Sequence, residues 1–158
     1  MALKTGDMAP AFSLYDSDKQ QVHLADFKGK QNVLLLFFPL AFTSVCTTEL
    51  CAVRDNINKY VNENTMVLGI SVDSPYALAR YKQHESYNFP LLSDFNKEAS
   101  KSYEAIHEHF GKMGLAGVSK RAAFIIDKAG MLRYAEVLDN PGLLPDFRNI
   151  DQLLAELD

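Results

Sequence analysis

Cys46 and Cys51 are the only cysteines in the 158-residue chain, five positions apart. In a reducing compartment, a pair this close reads as reactive chemistry rather than a permanent staple. The segment from Thr47 to about Asn62 carries Leu50, Val53, Ile57 and Val61 at spacings of three and four, the stripe of an amphipathic helix. Cys46 falls four residues before Leu50, so it begins the buried face in the first turn. Unpaired backbone N–H groups and the positive end of the helix dipole favour a thiolate there. Cys51 lies about 140° further around the helix, beside Arg54, Asp55 and Asn58, and is expected to face solvent. Thr43, three residues before Cys46, is placed as an N-cap whose hydroxyl donates to the sulfur. Pro39 offers no N–H and shields the sulfur from water, while Glu49 either orients a neighbouring charge or complements the dipole.

These side chains need a frame. Val33 to Phe38, Met66 to Val72 and Ala123 to Asp127 are continuous apolar runs of strand length, as expected of strands covered on both faces. Asp127 to Gly130 reads as a tight turn leading into a return strand from Met131 to Leu138. Further helices are predicted from Pro75 to about Glu85 behind a Ser74 cap, from Lys97 to about His107, and from about Phe147 to the end. Gly111, Gly114 and Gly117 mark a mobile loop from Phe110 to Lys120. The alternation predicts an α/β protein, a thioredoxin-like fold with a central mixed β-sheet flanked by helices. With no repeat or linker, residues 1–158 read as a single domain.

Composition removes several functions. Sixteen Lys plus Arg against twenty Asp plus Glu give a net charge of −4, so no general attraction to nucleic acid exists. The start, Met1-Ala-Leu-Lys-Thr-Gly-Asp7, does not read as a secretory signal, and no apolar run approaches a membrane span. The expected location is cytoplasmic. The glycines match neither the dinucleotide nor the Walker spacing, and His107-x-His109 with the two cysteines does not reproduce zinc spacing. No cofactor and no metal are expected, and these histidines read as solvated.

Pro39-x-x-x-Thr43-x-x-Cys46 resembles the signature of the peroxiredoxins, and Ser119-Lys-Arg121-Ala-Ala-Phe-Ile-Ile-Asp127 is similar to that family's second segment. The likeness extends to Gly6-Asp7-Met-Ala-Pro10-x-Phe12-x-Leu14, Ser71-Val-Asp-Ser74 and Phe89-Pro-Leu-Leu-Ser-Asp94, and so covers nearly the whole chain. It implies a thiol-dependent peroxidase for hydrogen peroxide or organic hydroperoxides. Cys46 would attack the peroxide and become a sulfenic acid, with Arg121 holding the thiolate and the peroxide oxygens and Thr43 bonding to both partners. Fixed donors aimed at developing oxygen charge suit that step.

Two branches of the family divide the reading of Cys51. Its position resembles the resolving cysteine of Q-type peroxiredoxins, the bacterioferritin comigratory proteins. Phe37 to Thr43 and the stretch through Tyr134, Ala135, Asn140 and Pro141 look more like the E-type branch, alkyl hydroperoxide reductase E-like and often one-cysteine. In an intact helix the two Cα atoms would stand roughly 8.6 Å apart, beyond the reach of a disulfide. A Q-type reaction therefore requires Thr43 to about Arg54 to melt after oxidation, leaving a disulfide for a thioredoxin-like reductant; otherwise a small thiol reduces Cys46 directly. The resemblance also leaves a homodimer through the sheet end open. A thiol–disulfide oxidoreductase or holdase without peroxidase turnover is the competing class, and the missing Cys-x-x-Cys speaks against the former.

Overall fold

The computed structural model describes residues 3–157. Met1 and Ala2, read above in the search for a signal, and Asp158, at the end of the last helical pattern, lie outside them. Seven strands form one sheet: β1 (Ser13–Asp16), β2 (Gln21–His23), β3 (Asn32–Phe37), β4 (Thr65–Ser71), β5 (Leu91–Ser93), β6 (Arg121–Ile126) and β7 (Leu132–Leu138). Their spatial order is β2-β1-β5-β4-β3-β6-β7. The β3–β4 and β4–β5 pairs are parallel and the remaining pairs antiparallel, so the sheet is mixed. Helices α1 (Ser44–Asp55), α2 (Ile57–Asn62), α3 (Pro75–Glu85), α4 (Glu98–Ser102) and α5 (Phe147–Glu156) and a 3-10 helix at Leu24–Phe27 lie between and after the strands.

Strand alternation splits the core into two. Val33, Leu35 and Phe37 of β3 pack on one face with Ala122, Phe124 and Ile126 of β6. Leu34 and Leu36 join Ala123 and Ile125 on the other, against Leu50 and Val53 of α1, Leu78 and Tyr81 of α3, and Ile150 and Leu154 of α5. The same parity sends Arg121, two residues before Ala123, to the α1 side. Because Phe37 pairs with Ala122, Arg121 stands one step beyond the end of β3, where the chain turns through Pro39 toward α1.

Four expectations need correction. The single helix through Asn62 breaks at Asn56, where φ is −115° and the side-chain amide donates to the Ala52 carbonyl at 2.8 Å. The break rotates the second piece, so that Tyr60 is buried and Val61 exposed. The helix expected from Lys97 to His107 is only α4: Glu104 takes a left-handed φ of 55°, and the chain then bridges Ile106 to Ser119. The glycine loop after it is a paired turn, Phe110 N–H bonding to the Leu115 carbonyl at 2.8 Å and Leu115 N–H returning at 3.1 Å. His107, expected in solvent, is buried against the Phe110 ring; burial, then the Lys120 charge, hold its imidazole below the usual range.

Candidate active site

Cys46 is the third residue of α1 and is buried in the same core cluster as Phe38, the residue after β3. Arg121 Nη2 lies 3.2 Å from Cys46 Sγ, and Nη1 lies 2.7 Å from Glu49 Oε1. Arg121 and Glu49 are both almost wholly buried, so this guanidinium joins a carboxylate and a sulfur with water excluded. Glu49 reaches it because it follows Cys46 by three residues and shares its helix face. Nη2 also donates to the Pro141 carbonyl at 3.1 Å, which ties the loop after β7 to the same nitrogen that touches the sulfur.

Burial opposes both charges of the pair. It pushes the Glu49 carboxyl up to about 7 even though the Arg121 charge and hydrogen bond pull it down. Burial also works against the Arg121 charge, but Glu49 and the Cys46 sulfur outweigh it and hold the guanidinium above its usual value. A charged donor at hydrogen-bond distance stabilises negative charge on the sulfur far more in such a site than it would in water.

Pro39 is buried where β3 ends. Thr43 is the N-cap of α1 in backbone conformation, but the expected bond from its hydroxyl to the sulfur is replaced by one to the Leu40 carbonyl at 2.8 Å. That bond closes the loop three residues back and fixes the entry into the helix. Of the predicted site residues, Cys46 and Glu49 thus both meet Arg121, while Pro39 and Thr43 belong to the loop that leads into α1.

Cys51 is not on an open face as expected. It is half-buried under the end of α3, its Sγ 3.5 Å from Glu85 Oε1 and 3.9 Å from the Tyr87 hydroxyl. Burial raises this thiol, with Glu85 adding to the rise while the Tyr87 hydroxyl and the Arg54 charge oppose it. Sequence spacing could not place Glu85 and Tyr87 here, since they arrive from another element.

Two supports were missed as functional residues. Asp73 Oδ2 accepts from the Ala41 N–H at 2.8 Å and the Ser71 hydroxyl at 2.7 Å, pinning the loop before α1 to the end of β4. Its signal was present in the Ser71-Val-Asp-Ser74 motif. Thr47, one residue after Cys46, meets the Tyr81 hydroxyl at 2.9 Å, and Tyr81, Tyr87 and Tyr103 are core residues as expected. Among the described residues, no group of three or more His, Cys, Asp or Glu is placed to hold a metal ion, and no helix is long and apolar enough to cross a membrane.

A model of the AhpC/TSA family matches residues 5–135. The chain belongs to that family. It is 38% identical over 157 residues to alkyl hydroperoxide reductase E of Mycobacterium tuberculosis, covering 98% of each chain. It is 39% identical over 136 residues to peroxiredoxin Bcp of Escherichia coli, covering 84% of each. Its fold matches the crystal structure of a peroxiredoxin-like protein from Aquifex aeolicus with a TM-score of 0.87 and 26% identity, over 100% of this chain and 90% of that one. The fold is therefore thioredoxin-like, and this AhpC/TSA member is a thiol-dependent peroxidase, an oxidoreductase.

Proposed function

We propose that Cys46 is the sulfur that reduces peroxide and that Cys51 resolves it. The observation that carries the first half is the 3.2 Å contact between Arg121 Nη2 and Cys46 Sγ inside a buried ion pair. The Cys46 thiolate attacks the terminal oxygen of a hydroperoxide, the O–O bond breaks, and the departing alkoxide or hydroxide takes a proton from water. Cys46 is left as a sulfenic acid. Arg121, with Nη2 beside the sulfur, stabilises the negative charge that passes from sulfur to oxygen, and Glu49 fixes the guanidinium plane. Pro39 and Thr43 hold the loop that keeps water from the sulfur.

In the second half, Cys51 attacks the sulfenic sulfur and a disulfide forms with loss of water. The first turns of α1 unwind to allow it, because the intact helix holds the two Cα atoms roughly 8.6 Å apart. Arg54 limits the unwinding: its Nη1 donates to the Glu85 carbonyl at 2.5 Å and its own carbonyl accepts from Asn88 at 3.2 Å. The opening segment is accordingly Thr43 to about Leu50, shorter than the sequence suggested. The disulfide is then reduced by a thioredoxin-like protein, and a small thiol is the alternative reductant. The same reading takes residues 1–158 as one domain working in the reducing cytoplasm, where such thiols are supplied. It takes hydrogen peroxide or organic hydroperoxides as substrates, and a homodimer through edge strand β7, whose Val137 is exposed.

Peroxide consumption by the wild type, Cys46→Ser and Cys51→Ser, each with thioredoxin and with a small thiol, tests this. Cys46→Ser is expected to lose all activity. Cys51→Ser is expected to lose turnover with thioredoxin, its sulfenic acid persisting after one equivalent of peroxide while the wild type shows a loss of two hydrogens. Full thioredoxin-driven turnover by Cys51→Ser would overturn the resolving role and leave Cys46 as the single reactive cysteine.

A further inference from the structure

The second thiol carries a polar neighbourhood of its own. From α1, Arg54 faces it; from the end of α3, Glu85; from the segment before β5, Tyr87. The two oxygens of the Glu85 carboxylate are divided, with Oε1 3.5 Å from Cys51 Sγ and Oε2 2.8 Å from His84 Nδ1. Of the groups touching the sulfur, only this carboxylate is an anion with lone pairs to take a proton. The neighbourhood is held from outside the carboxylate, because Arg54 grips the Glu85 backbone carbonyl rather than its side chain, and Asn88 grips Arg54. Cys51 and Glu85 therefore stay together when the first turns of α1 open.

We propose that Glu85 is the general base of disulfide formation, accepting the Cys51 proton as that sulfur attacks the Cys46 sulfenic acid; this rests on Cys51 being the resolving thiol. The Cys51 S–H bond breaks toward Glu85 Oε1, the S–S bond forms, and the Cys46 S–O bond breaks. Hydroxide leaves and becomes water by taking a proton from solvent, to which Glu85 later returns its own. The Cys51 sulfur is oxidised and the Cys46 sulfur reduced by one electron each, so the step balances with water as the only by-product. The arrangement answers a specific difficulty. Burial, first, keeps Cys51 a thiol at neutral pH, and a thiol is a poor nucleophile. Glu85 is held below the usual carboxylate range chiefly by its bond to His84, so it is ionised and ready to accept. The Tyr87 hydroxyl is at hand to donate to the charge that develops on sulfur.

The test follows the lifetime of the Cys46 sulfenic acid after one equivalent of hydrogen peroxide, by trapping with a sulfenic-acid-selective probe and measuring intact mass. In Glu85→Gln the sulfenic acid is expected to persist about 100-fold longer near neutral pH, the size of effect typical of a lost general base. The defect is expected to shrink as the pH is raised and hydroxide makes the thiolate. Glu85→Asp should fall between the two. In the wild type the resolving rate should stay nearly flat through mildly alkaline pH, whereas a thiolate formed by solvent alone would give a rise of about tenfold per pH unit. Such a rise in the wild type, or resolution by Glu85→Gln at the wild-type rate or faster, overturns the proposal. A wild type that never loses two hydrogens instead removes Cys51 as the resolving thiol, and the role of Glu85 with it.

Discussion

The two thiols share one helix and face opposite electrostatics. Cys46, in the first turn, is buried against a guanidinium that donates to its sulfur. Cys51, five residues on, is half-buried against a carboxylate that accepts from it. A donor beside the sulfur stabilises an anion in advance, whereas an acceptor keeps the thiol protonated until a reaction draws the proton away. Cysteine count alone would make the pair equivalent. What distinguishes them is the element that reaches over to each: β6 delivers Arg121 to one and the end of α3 delivers Glu85 to the other. The contrast fits the proposed division, with the fast oxidation at Cys46 and the later, proton-coupled step at Cys51.

Removing the donor should do the greatest damage to this contrast. Arg121→Gln is expected to slow single-turnover oxidation of Cys46 by about 10²–10³-fold, the usual effect of losing a preorganised donor to developing charge. It also strips Glu49 of its partner in a buried pair, a change that destabilises by roughly 3–5 kcal/mol. Stopped-flow rates and urea unfolding of the same variant separate the two effects.

Next comes the carboxylate behind the guanidinium. Its value rises from 4.5 to about 7 on folding, so between these limits the folded chain keeps a proton on Glu49 that the unfolded chain has released. This group's contribution is accordingly favourable at low pH and is lost as pH rises from about 4.5 to about 7, then stays constant. Glu49→Gln should remove that slope. Urea unfolding of wild type and variant across the window checks it: the wild type is expected to lose stability relative to the variant as pH rises, and parallel curves would contradict the assignment.

The smallest effect belongs to the tether between the two ends. Thr47→Val deletes the 2.9 Å bond to Tyr81, leaves the tyrosine hydroxyl with less support, and should destabilise by about 1 kcal/mol. If loosening this contact helps α1 open, disulfide formation should be faster in the variant, which a mass time course would show.

Much of the frame was legible in the sequence because its central parts are long and strongly patterned. The runs Val33 to Phe38 and Ala123 to Asp127 announced β3 and β6, whose residues Asn32–Phe37 and Arg121–Ile126 are all buried, and the Leu50–Val53 stripe fixed the inward side of α1 and with it Cys46. The short strands β1, β2 and β5 were not, since three or four residues carry too little periodicity and owe their form to their neighbours in the sheet. Asn56 hid the helix break because its cause is a single side chain turned back on the Ala52 carbonyl. At the site, Glu49 could be placed by its three-residue offset from Cys46. Arg121, 75 positions away, came only through the family resemblance, and its face follows from strand parity once the register is known. Glu85 and Tyr87 left no mark, because they meet Cys51 through the packing of the end of α3 and the segment after it against α1.

What should most sharply divide the two sulfurs is which one reacts with peroxide. Wild-type protein mixed with less than one equivalent of hydrogen peroxide, trapped at once with a sulfenic-acid probe and mapped by peptide mass, reads this directly. The first adduct is predicted on Cys46 with Cys51 unmodified. A first adduct on Cys51, or equal labelling of both, would contradict it.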